Sequence, residues 1–371
     1  MLNDLIRIRN SILRWKYKWL LKPIFFRNDP EVVHDRMTSV GHFLGKYGFT
    51  KILTSLFLNY SDPSLNQNIL GINFKNPVGL SAGFDKDAIL TDIMPSVGFG
   101  FMEIGSITGE YCAGNPKPRL WRLKKSKSLA VYYGLKNQGC ESIAERLKNK
   151  LFKIPIGVNI AKTNCEDTVD TEKGIEDYFK AYQAFQNIGN YFTINISCPN
   201  AFGGQPFTDS KKLDALLHKI TSIPKTKPIF LKLSPDLSTQ EIDEIIEVAT
   251  KYKVDGFICT NLTKNRDNKK ILDENIPTVG GLSGKIVGNL SDELIKYIYK
   301  KTNKQFVIIG VGGVFSAEDA YKKIKAGASL VELITGMIFE GPQVISEINL
   351  GLVKLLKADG YKNISEAVGK E

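Results

Sequence analysis

From residue 70 onward, short apolar runs alternate with longer stretches of helical periodicity. The runs cover residues 76–84, 99–107, 154–160, 191–197, 228–234, 256–263, 305–313 and 329–336, eight in all. Between them lie segments such as TQEIDEIIEVATKYK (239–253), where Ile242, Ile245, Ile246 and Val248 recur along one helix face. Strands separated by helices pair in parallel, and near-continuous apolar strands are buried on both faces. Eight such units predict an α/β fold, a (β/α)8 TIM barrel. A doubly wound sheet would more commonly carry a G-x-G-x-x-G turn after its first strand, and GLSAGFD (79–85) does not match it.

The first 27 residues break this pattern. They carry seven Lys or Arg against Asp4 alone, so six of the net +11 charges sit here. Ile12, Trp15, Trp19, Ile24 and Phe25 are interleaved with Arg9, Arg14, Lys16, Lys18 and Lys22. No apolar run reaches the roughly 18 residues of a membrane span and no small-residue cleavage site follows, so neither a transmembrane helix nor a signal peptide is predicted. Two readings remain, a helix lying on an anionic membrane surface or a terminal helix packed on the domain. The chain divides on this pattern into an N-terminal helical extension, residues 1–48, and a barrel, residues 49–371.

Composition narrows the chemistry. Hydrophobic residues at 43% and charged residues at 24% are those of a globular chain. Cys112, Cys140, Cys165, Cys198 and Cys259 form no C-x-x-C pair, and three histidines are dispersed. Neither a disulfide framework nor a metal site is expected, and the compartment reads as reducing and intracellular. No carboxylate pair or Ser-His-Asp set accompanies the strands, so glycosidase and serine hydrolase chemistry lack their parts. The basic excess is confined to one segment, which argues against nucleic acid as a partner.

In a barrel, reacting groups gather at the C-terminal strand ends. Here those ends carry Lys86, Gly105 and Ser106, Asn159, then Asn195, Ser197, Cys198 and Asn200, then Lys232, Thr260 and Asn261, Gly312 and Gly313, and Thr335. Singly, such an Asn caps a turn and such a Gly makes a tight connection; their coincidence at eight strand ends is the stronger signal. GVGG (310–313) and ITG (334–336) free backbone amides for an anion, commonly a phosphate in barrels. The hard chemistry then falls to a cofactor. Lys232 would set a positive charge against a flavin ring, and the asparagines at 195, 200 and 261 suit a planar, amide-containing substrate. Cys198 would be the acid or base beside it. Its free pKa of about 8.5 must fall, or the substrate must engage the thiol, for proton abstraction near neutral pH.

The motifs NPVGLSAGFDK (76–86), GFGFMEIGSIT (98–108), GNPKPRLWRL (114–123), NISCPN (195–200), GGLSGK (280–285) and IIGVGGV (308–314) resemble the dihydroorotate dehydrogenase family. The resemblance implies an FMN barrel that oxidises dihydroorotate to orotate in pyrimidine synthesis. It places Ala82, Gly83, Ser106, Asn159, Lys232, Thr260, Ser283, Gly284, Gly312, Gly313 and Thr335 on cofactor positions. Lys86, Asn195, Asn200 and Asn261 fall on substrate positions, and Cys198 on the base that removes the C5 proton while C6 delivers hydride. Residues 22–41 and NPKPRLWRL are similar to the membrane-associated, quinone-reducing class, which puts His34 and Arg122 at the quinone and the protein on the cytoplasmic side of a membrane, peripherally.

Four positions depart from that class. Cys198 stands where it usually has serine, Val131 and Leu262 take the place of two polar substrate-binding side chains, and Ile334 replaces an aromatic near the quinone. Asn137, or the amides of Gly134 and Leu135, would compensate for the apolar Val131 and Leu262. Two rival readings follow: a flavin barrel for another dihydropyrimidine or a soluble acceptor, and a cofactorless phosphate-binding barrel synthase.

Overall fold

A computed structural model of the protein describes residues 2–371. Eight parallel strands close into a barrel: β1 (Val78–Leu80), β2 (Phe101–Ile107), β3 (Ile156–Ile160), β4 (Tyr191–Asn195), β5 (Ile229–Leu233), β6 (Gly256–Cys259), β7 (Val307–Val311) and β8 (Leu330–Leu333). Each pairs with its neighbours in sequence, and β8 closes onto β1 through Val331 opposite Val78. Every apolar run of the sequence contains one strand; the runs 99–107 and 154–160 end with their strands, while the other six continue past them. The run 191–197 stops pairing at Asn195 because the Asn195 Oδ1 accepts the amide of Ser197 (3.3 Å) and turns the chain.

The two-residue period of a strand sorts the side chains. Met102, Ile104, Val158, Phe192, Ile194, Leu231, Phe257 and Val331 face the outer helices and join the main core. Phe101, Tyr191, Phe230, Ile258, Ile309 and Leu330 point inward at the N-terminal ends, where Phe74 of the preceding hairpin plugs the barrel. Gly79 and Gly157 are small for that reason: a Cβ on either would stand 2.3 Å from the ring of Phe101 or Tyr191. One layer higher the inward positions turn polar, with Glu103, Asn159, Thr193, Lys232 and Glu332, all buried.

Two insertions roof the mouth. Leu120–Leu123, Ser128–Val131 and Gly281–Leu282 form an antiparallel sheet whose third strand comes from far along the chain. Helices Leu2–Lys16, Lys22–Arg27, Pro30–Lys46 and Gly48–Leu58 precede the barrel, and the boundary drawn after residue 48 falls at the first residue of the last of them. The first of them is held by its polar face. Asn10 and Arg9 donate to Ser346 Oγ (3.0 and 2.8 Å), and Arg14 and Lys18 pair with Glu347 and Glu340 at 2.5 and 2.7 Å. The apolar stripe Ile8, Ile12, Trp15, Trp19 is left facing outward, with Trp19 70% exposed. Phe43, Phe49, Ile52 and Leu56 of the next helices are exposed as well. No helix among the described residues is long and apolar enough to cross a membrane.

Candidate active site

A single cavity, about 1260 Å³ with its open mouth included, runs from His34 on helix Pro30–Lys46 to Cys198 and Asn200 beyond β4. Its floor is the polar layer of the barrel. Ser106 donates to Asn159 Oδ1 (2.5 Å), Asn159 to Glu103 (3.1 Å), and Thr193 also donates to Glu103. Lys232 Nζ lies 3.6 Å from Glu103 and donates to Ser81 Oγ (3.3 Å). Neither oxygen of Glu332 has a hydrogen-bond partner among the described residues. Burial first, and the charge of Glu103 second, push its carboxyl well above the usual range.

One wall is a cradle. Gly284 and Gly313 have left-handed φ values of +77° and +75°, and a Cβ there would meet Lys127 O or Gly288 Cα at 2.5 Å. Ser283 Oγ and Thr335 Oγ1 lie 2.9 Å apart beside them. These groups offer donors to an anion while Ser106, Lys232 and Thr260 lie on the same cavity, a donor set that fits a flavin phosphate and ring.

The amide triad sits opposite. Asn261 Nδ2 donates to Asn195 Oδ1 and Ser197 Oγ, both at 3.1 Å, and Asn195 Nδ2 donates to Ser106 (2.9 Å). Ser197 thus braces the amides and does not line the cavity. Asn200 Nδ2 donates to Val131 O (2.8 Å), but its buried Oδ1 is left without a partner, an acceptor for a ligand N–H. Cys198 is a partly exposed residue lining the cavity; burial pushes its thiol up to about 11, opposed by the Asn200 amide and the Lys162 charge. The fall in pKa anticipated for a base is therefore absent from the site, because burial outweighs both.

Lys86 half-emerges beyond β1, with Nζ 4.0 Å over the Tyr133 ring and 3.3 Å from His34 Nε2. Burial, then Lys136, brings it down to about 8, while burial and Lys86 hold His34 near 3, a neutral imidazole 2.9 Å from Phe84 O. Ala82, Gly83, Gly134, Leu135 and Gly312 also line the cavity. Asn159 and Arg122, which the resemblance places on cofactor and quinone positions, do not. Asn159 lies beneath it, and Arg122 donates to Asn28 O (2.8 Å) with its guanidinium over Phe26 at 4.8 Å. Asn137 is buried and its amide is spent on Thr108 and Leu135 O, both at 2.8 Å, so it cannot supply the polar groups that Val131 and Leu262 lack. Glu332 and Glu103 were missed; the signal was a lone acid of inward parity in each apolar run.

The family model described as dihydroorotate dehydrogenase matches residues 64–356. The chain belongs to the dihydroorotate dehydrogenase family. It is 41% identical over 341 residues to the dihydroorotate dehydrogenase (quinone) of Christiangramia forsetii, covering 90% of this chain and 97% of that one. To the same-named protein of Trichodesmium erythraeum it is 37% identical, covering 95% and 98%. Among solved structures it resembles the dihydroorotate dehydrogenase of Eimeria tenella in complex with ferulenol, with a TM-score of 0.82 and 31% identity over 92% of this chain and 95% of that one. The barrel strands and the roof sheet lie within the residues that the family model matches.

Proposed function

We propose that this protein oxidises dihydroorotate to orotate on bound FMN and passes the electrons to a membrane quinone. The observation that carries the reading is one cavity with two kinds of lining: the polar Asn195, Asn200, Asn261, Lys86 and Cys198, and the apolar Leu120, Leu129, Phe315 and Ile338, with His34 3.3 Å from Lys86. Ser106, Lys232, Ser283, Gly284, Gly312, Gly313 and Thr335 would hold FMN, with Asn159 bracing Ser106 from beneath; the cofactor supplies the acceptor for the C6 hydride. Lys86 offers the substrate carboxylate a cation, Asn200 Oδ1 takes a ring N–H, and the Cys198 thiolate removes the C5 proton. The roof sheet and Leu262 keep water from that thiolate. Anaerobic dihydroorotate should bleach the flavin absorbance of the purified holoenzyme, and a quinone should restore it faster than fumarate or NAD. No bleaching would remove dihydroorotate as substrate and leave the apolar Val131 and Leu262 wall to another cyclic amide.

The N-terminal helices support a peripheral seat on an anionic membrane. Their charged face is occupied by the barrel and their aromatic face is free, an orientation that suits insertion of Trp15 and Trp19 among headgroups. A Trp15→Glu, Trp19→Glu double variant should bind phosphatidylglycerol vesicles at least about tenfold more weakly in co-sedimentation, with flavin reduction unchanged. Equal co-sedimentation would leave the helix a packing element only.

A further inference from the structure

Lys162 follows β3 directly and its side chain is buried, 3% exposed. Its ammonium donates to Phe202 O (2.8 Å) and Thr168 Oγ1 (3.2 Å), and no carboxylate lies within salt-bridge range of it among the described residues. A buried cation with only neutral acceptors is costly to keep charged. The ionisable groups facing it are Cys165, Asp177 and Cys198. Asp177 accepts from Thr163 N and Oγ1 (both 2.7 Å) and Gly109 N (3.3 Å) and not from Lys162, and Cys165 contacts Thr168 (3.8 Å). Of the three, Cys198 is the one that also lines the larger cavity with Asn195 and Asn261. It faces Lys162, Cys112 and the exposed Lys264, and it shares with Lys162 a small cavity on the side of Tyr178 and Ala201.

The same segment grips the loop that carries Cys198. Lys162 takes the carbonyl of Phe202 and Asn164 Oδ1 takes its amide (2.6 Å), while Asn115 Nδ2 donates to Asn200 O (3.0 Å). We infer that Lys162 is a positioning residue that supplies the counter-charge for the Cys198 thiolate as well as anchoring its loop. This rests on the role of Cys198 as base. A thiolate formed beside a fixed ammonium needs no solvent counter-ion, and each group favours the charged form of the other.

The test uses the holoenzyme and three variants. Lys162→Gln keeps an N–H for Phe202 O and removes the charge, Lys162→Arg keeps the charge, and Asn164→Ala loosens the loop alone. Two readouts are followed against pH: the rate of Cys198 carboxamidomethylation by iodoacetamide, measured by mass spectrometry of its peptide, and the rate of flavin reduction by dihydroorotate. Lys162→Gln should slow alkylation about tenfold at fixed pH, the equivalent of one pK unit, and move the alkaline limb of both profiles upward. Lys162→Arg should restore the limb, and Asn164→Ala should lower the rates without moving it. An unmoved limb in Lys162→Gln, or an equal movement in Asn164→Ala, overturns the inference. If dihydroorotate fails to reduce the flavin of the unaltered enzyme, the substrate reading falls, while the alkylation profiles still decide the charge pairing.

Discussion

Replacing Cys198 with alanine is expected to slow flavin reduction by dihydroorotate about 10² to 10⁴-fold, the range for loss of a positioned proton acceptor. Orotate should still bind, because Asn195, Asn261 and Lys86 hold their positions through Ser106, Ser197 and Tyr133 rather than through the sulfur. The unaltered enzyme carries a pH signature of the same group. With the thiol pushed up to about 11, the thiolate is a small fraction at neutral pH, and the thiolate is the reactive form. The reduction rate should therefore climb close to tenfold per pH unit through the alkaline range and level near the thiol pKa. Cys198→Ser keeps an acceptor oxygen and should retain more activity than alanine. Rapid-reaction absorbance at 450 nm reads all three proteins, and an alanine variant at the unaltered rate would remove Cys198 from the chemistry.

The eight strands were legible because each apolar run carries both parities of its strand, one for the helices and one for the lumen. The polar tips were legible because they interrupt those runs at the same end, and Cys198, Asn200, Lys232 and Asn261 do meet on one cavity. Three features were not accessible from the pattern. The roof joins Ser128–Val131 to Gly281–Leu282, a pairing about 150 residues apart that no local periodicity encodes. The N-terminal stripe shows two faces but not which of them meets the barrel, and it is the charged face, drawn by Glu340 and Glu347. Asn137 has the right chemistry and neighbourhood for a ligand contact, yet Thr108 and Leu135 claim its amide, a competition visible only in three dimensions.

The second large effect lies at Lys232. Glu103 and Glu332 are both fully buried in the barrel around this one lysine, whose side chain is 5% exposed. Lys232→Met should destabilise the apoprotein by about 3 to 5 kcal/mol in urea unfolding, the scale for removing one partner of a buried pair, because Glu103 is left with hydrogen bonds but no counter-charge. Adding Glu103→Gln should recover most of that loss, which separates the charge from the methylene stem. Glu332→Gln alone should stabilise the protein at neutral pH: a carboxyl raised in the folded state contributes fully below its unfolded pKa of about 4.3 and progressively less as pH rises above it. The cofactor gives an independent reading. Lys232→Met should lower the midpoint potential of bound flavin, since a positive charge at the ring favours the reduced form, and neither second substitution restores a cation to the cavity. Unfolding curves that coincide with those of the unaltered protein would mean that Glu103 needs no partner, and the polar layer would lose its role as an electrostatic floor.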